Sequence, residues 1–176
     1  SAALPGPGGP AGSVRAEPFV EDHITRGGLQ NPPDTAFCEQ NLDIACYRPA
    51  QIQKAYDLQP LLDAHLNGAG RTIVIVDAFG SPTIKHDLQV FDQTFGLADP
   101  PSIDIIQPVG AVPPFDPNAF NGDEVSWAEE TSLDVEWSHV MAPGARILLV
   151  ETPVDETEGV QGFPQIVAAE NYVVDH

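Results

Sequence analysis

A chain of 176 residues is long enough to bury one real hydrophobic core, and its 42% apolar content is ordinary for such a domain. Its charge is lopsided, with 26 Asp and Glu against 7 Lys and Arg and a formal net charge of −19 at pH 7, so it lacks the clustered cations that displace counterions from a phosphate backbone, and a nucleic-acid partner is not expected. No run of about 18 consecutive apolar residues occurs, which excludes an ordinary membrane-spanning helix.

From Ser1 to about Asp34 the chain is rich in Pro and Gly and shows neither helical nor strand periodicity. An arm or the remnant of a cleaved prosegment is therefore expected over 1–45, with the folded unit over 46–176. The opening SAALPGPGGP has neither the basic nor the apolar region of a signal peptide. Cys38 and Cys46 lie in a polar stretch with no further Cys or His at zinc spacing. They read either as a disulfide, worth roughly 2 to 3 kcal/mol by loop entropy, or as two free structural thiols. The disulfide reading places the protein outside the cell.

Pro49, Ala50, Ile52, Ala55 and Tyr56 predict a short helix, and Leu58 to Leu66 a second helical piece ending at the turn Asn67-Gly68-Ala69-Gly70. Thr72 to Val76, TIVIV, reads as a strand covered on both faces. Ser81 and Pro82 are the expected N-cap and first position of a helix in which Ile84, Leu88, Phe91 and Phe95 form one stripe and Gly96 closes the end. Ile103 to Ile106 and Arg146 to Val150 are further buried strands. This alternation implies parallel crossovers, hence an α/β fold with a mostly parallel sheet and helices on both faces. Ile166, Ala169 and Tyr172 to Val174 make a last helical stripe that reaches His176 without a cap, as expected of a fold incomplete in this chain.

The informative helix is SWAEETSLDVEWSHVM, Ser126 to Met141. Ser126 and Glu129 have the spacing of a capping box. At about 100° per residue, Leu133, Trp137, Val140 and Met141 share one side, and Glu130 and Asp134 fall within that apolar face. Glu129 and Glu136 point elsewhere and read as solvated surface acids, while His139 lies on the far side from Glu130. Two carboxyls one turn apart on an apolar face resist joint ionisation, so at least one should have a raised pKa and be able to take and return a proton in mild acid. The bland alternative is a structural pair at a wet helix edge, or a pair answered by one of Arg15, Arg26, Arg48, Arg71 or Arg146. Asp77 ends the first strand, where parallel sheets gather their ligand and catalytic groups.

TIVIVDAFGSPTIKHDLQVFDQTFGL and EETSLDVEWSHVMAPGARILLVE resemble the N-terminal half of the catalytic domain of sedolisins, the serine-carboxyl peptidases of subtilisin-like fold. The likeness covers roughly Tyr47 to His176. It implies that Glu130 is a general base toward a serine, that Asp134 holds and polarises it, and that Asp77 extends the chain of carboxyls. A carboxylate base suits acid, where a histidine in its place would be protonated and useless.

The resemblance also implies a nucleophile in a Gly-Thr-Ser motif, an oxyanion-stabilising Asp in a Gly-Asp-Ser-Gly motif, and a calcium site, all further along the family's domain. Neither motif occurs here, so no cofactor is expected in this chain, and the chain alone is expected to be inactive. The expectation is thus a secreted endopeptidase acting on peptides or proteins, completed by a C-terminal partner fragment that carries the serine. The acidic loop from Glu156 to Gly162, through Glu158, Gly159 and Gly162, is expected near the substrate cleft. The other class of reading is a noncatalytic subtilisin-like binding or inhibitory fragment. A glycosidase-type acid pair fits poorly, because those carboxyls face a sugar from two sides.

Overall fold

The computed structural model describes residues 14–15, 32–154, 157–158 and 164–176, and a three-stranded parallel sheet carries the fold within them. In chain order, a two-residue strand β1 (Val14–Arg15) is followed by three short helices, α1 (Thr35–Asn41), α2 (Pro49–Ala55) and α3 (Gln59–Asp63). Then come β2 (Thr72–Ala78), α4 (Ile84–Phe95), β3 (Ile103–Ile106), a 3-10 turn over Ala119–Gly122, α5 (Asp123–Met141) and β4 (Arg146–Thr152). The two-residue β5 (Thr157–Glu158) pairs antiparallel with β1, and α6 (Pro164–Asp175) follows.

The sheet order is β2-β4-β3, so the last strand inserts between the first two. Its register sets Thr72 beside Arg146 and Asp77 beside Glu151 on one side, and Ile103 beside Ile147 on the other. Strand alternation sends Ile75, Ile147 and Leu149 to one face, where they are buried against Ile84 and Leu88 of α4 and Val135 of α5, with Ile73, Ile103 and Ile105 packed around them. Val150 alternates to the opposite face and is also fully buried, so the central strand is covered on both sides. α6 packs against β2 and β4 and buries Ala169. The TIVIV run departs from expectation here: β2 is an edge of the sheet among the described residues, and its Val74 is 40% exposed.

The stretch 1–45 is not uniformly irregular. Asp34 accepts the Phe37 N–H at 2.8 Å and starts α1. Cys38, fully buried, is bonded to Cys46, and the Thr35 hydroxyl donates to the Cys46 carbonyl at 2.6 Å. The two cysteines are thus a disulfide that fastens α1 to the entry of α2. α2 in turn packs against α5, where the Gln53 amide donates to the Val140 carbonyl at 2.8 Å.

Two helix starts move. After β2, Phe79 and Gly80 both take the left-handed region, at φ 58° and 72°, turning the chain back before any helix can form. Ser81 is consequently buried in that turn, and α4 begins at Ile84 behind Thr83. Likewise α5 starts at Asp123 rather than at Ser126, because the 3-10 turn already winds into it through Gly122, and Ser126 bonds back to the Gly122 carbonyl. Asp123 and Glu124 then occupy the first turn, where the helix dipole favours acids. Gly96, at φ 70°, closes α4 as the sequence predicts.

Candidate active site

α5 is not simply two-faced. Its fully buried stripe is Thr131, Val135 and His139, with Trp127 nearly so, all at four-residue steps toward the sheet and α4. A second stripe, Leu133, Trp137 and Met141, lines a shallow groove with Tyr47, Ile52 and Tyr56, and Leu133 is 50% exposed. A helix that touches both a sheet and a neighbouring helix needs two apolar stripes. Glu130 lies half-buried within this second stripe, between Trp137 and Met141 around the helix, and Asp134 half-buried at its edge.

β2 brings the third acid to them. Asp77, 4% exposed, sits at the carboxyl end of the strand that α5 crosses. Burial, then the negative charge of Asp134, push its pKa up to about 7; the Thr131 hydroxyl pulls it down by less than either, and the charges of Glu130 and Glu151 add smaller upward pushes. That hydroxyl and Asp77 Oδ2 are both buried without a well-formed hydrogen bond, so Thr131 acts on Asp77 through proximity rather than through a full bond. Burial raises Asp134, and burial followed by the charge of Asp134 raises Glu130. Asp134 thus acts on both of the other acids. The three carboxyls are coupled through space, with no direct hydrogen bond among them.

No described arginine answers the pair. Arg48 is engaged with the Pro32 carbonyl, Arg146 reaches the Thr72 hydroxyl, and Arg71 is exposed. Arg15 has only its backbone described, and Arg26 lies outside the described residues. Among the described residues, no group of three or more His, Cys, Asp or Glu is arranged to hold a metal ion.

No family model, curated protein or solved structure matches this chain.

The chemistry of the site therefore rests on its own residues, and two acids join those read from the sequence. Glu151, at the end of β4, is 6% exposed and raised by burial, with a hydrogen bond from the Gln107 amide at 2.8 Å opposing the shift. The rule that singled out Asp77 applies equally to the acid ending RILLVE. Glu136 is not the solvated acid expected. It is partly buried beside α4, and burial followed by the charges of Asp87 and Asp92 raises it to about 7.

His139 stays apart from the carboxyl group, as the helix wheel suggests. It is fully buried, with Nε2 2.8 Å from the Ala98 carbonyl and 3.4 Å from Asp92 Oδ1. Of the expected cleft loop, Glu158 contributes backbone to β5, while Gly159 and Gly162 lie outside the described residues.

Proposed function

We propose that this chain supplies the general base and orienting acid of a secreted, acid-acting serine-carboxyl endopeptidase. Glu130 takes the proton of a serine hydroxyl as its oxygen attacks the peptide carbonyl, then returns it to the departing amide nitrogen. Asp134 holds and polarises Glu130, and Asp77 stands behind Asp134. The serine comes from polypeptide outside these 176 residues.

One observation carries this reading: α5, which bears Glu130 and Asp134, packs on β2, so that the buried Asp77 near the end of that strand lies within electrostatic reach of both acids. That placement supports a proton relay among Asp77, Asp134 and Glu130. Asp77, raised to about 7, keeps its proton in mild acid and can share it with Asp134, and Glu130 acts as the base. The parallel sheet with β4 inserted between β2 and β3, and α5 laid over the end that carries Asp77, supports the subtilisin-like form of the fold. The disulfide supports an oxidising compartment.

Purification from the native source, followed by mass spectrometry with and without reductant and by an acid-proteolysis assay, tests the proposal. Acid proteolysis accompanied by a companion polypeptide containing Gly-Thr-Ser is the expected result. Native preparations inert toward protein substrates between about pH 3 and 6 would sink it.

A further inference from the structure

Beside the acid relay, the carboxyl ends of β2 and β4 open into a separate cavity of about 170 Å³. Its walls are apolar and aromatic, chiefly Phe79, Val112, Pro113 and Phe115, and its polar lining includes Glu124 and Glu151. Both acids are more than nine-tenths buried, at 2% and 6% exposure. Each has one oxygen held: the Asp116 N–H donates to Glu124 Oε2 at 2.7 Å, and the Gln107 amide donates to Glu151 Oε2 at 2.8 Å. Gln107 is itself fixed, because its oxygen accepts the Val112 N–H at 3.2 Å.

Among the described residues the hydrogen bonds reach only the Oε2 atoms, Glu151 Oε1 lies against Gly80 between the cavity-lining Phe79 and Ser81, and neither carboxyl has a cation. A carboxylate can accept about four hydrogen bonds, so each retains most of its capacity. Burying two such groups is costly unless a positive charge answers them. The space is below the range of drug-sized sites and suits one long, thin group. Aromatic walls next to an anionic floor match a side chain with an apolar stem and a cationic tip, since ring faces attract cations and stems pack on apolar surface.

We infer that this cavity is a subsite for the arginine or lysine side chain of a peptide, its cationic tip held between Glu151 and Glu124 and its stem against Phe79 and Phe115. The identity of the ligand as a peptide rests on the peptidase reading; the preference for an organic cation does not. Guanidinium, which can pair with two carboxylates at once, should be favoured over ammonium.

The test is titration of N-acetyl-arginine amide, N-acetyl-lysine amide and the neutral isostere N-acetyl-citrulline amide into the intact protein at pH 7, followed by NMR shifts. Saturable binding of the arginine amide in the millimolar range, at least tenfold tighter than citrulline, is expected. Glu151→Gln should weaken it at least tenfold. Phe115→Ala, at a residue 41% exposed and safe for the fold, should weaken it several-fold. Equal binding of arginine and citrulline, or unchanged binding in both variants, overturns the subsite. Because no bond is cleaved, arginine binding in a preparation without proteolysis would leave the subsite standing and the peptidase reading fallen. Proteolysis without cation binding would do the reverse.

Discussion

Asp77 and Glu151 stand opposite one another in the β2–β4 register, two buried acids at the carboxyl ends of neighbouring parallel strands. They share a sheet face but serve different neighbours. Asp77 is engaged by Asp134, Thr131 and Glu130 of α5, and Glu151 by Gln107 beyond β3. The charge of Glu151 still contributes to keeping Asp77 protonated.

That coupling has a measurable cost. Asp77 holds its proton to about pH 7 when folded, against an ordinary value of 3.8. The folded state therefore binds more protons than the unfolded state in this interval, and stability falls as pH rises from about 4 to about 7. Glu136, raised to about 7 from 4.5, acts in the same direction. Asp77→Asn should flatten the decline and stabilise the protein near neutrality, by at most a few kcal/mol at ~1.4 kcal/mol per pKa unit. Urea denaturation at pH 4.5 and pH 7.5 measures it; an identical pH slope in the variant would refute the assignment.

Glu130→Gln and Asp134→Asn remove the base and its support without changing shape. In a proteolytically active preparation, each should lower kcat by at least about 100-fold, the scale of general-base loss, with KM little changed. Circular dichroism should match the parent protein. Activity retained in Glu130→Gln would show that the base lies elsewhere.

The Cys38–Cys46 bond closes a short loop at the periphery, so its loss should act locally. Replacing both cysteines by serine removes roughly 2 to 3 kcal/mol of constraint. Amide exchange should quicken across residues 34–48, while β2 and β4 keep their protection. Uniform acceleration through the sheet would mean instead that α1 and the sheet unfold as one unit.

Asp92 and His139 form a buried pair, 1% and 0% exposed and 3.4 Å apart, and the Asp92 carboxyl has no hydrogen bond. Removing one partner strands the other, so His139→Leu should cost about 3 kcal/mol. Adding Asp92→Leu should recover part of that loss, giving a double variant more stable than the sum of the single effects. Additive losses in thermal denaturation would show that the two side chains do not interact.

Much of this molecule is legible in its residues. The β-branched runs at Thr72, Ile103 and Arg146 become the three parallel strands, the Ile84 and Leu88 stripe becomes the buried side of α4, and Gly96 ends that helix, because these features depend on local stereochemistry and a two-way choice between water and core. Glu130, Asp134 and Asp77 stand out in the sequence, the first two by spacing and the third by its place at a strand end, and the structure sets them close enough to interact. Tertiary structure decided what no local pattern contains. Insertion of β4 between β2 and β3 sets Glu151 beside Asp77, and contact of α5 with β2 brings Glu130 and Asp134 within reach of Asp77. Packing of α4 on α5 turns Glu136 from a surface acid into a partly buried one. Burial and charge coupling depend on which elements meet, and one helix wheel cannot show what stands across from it.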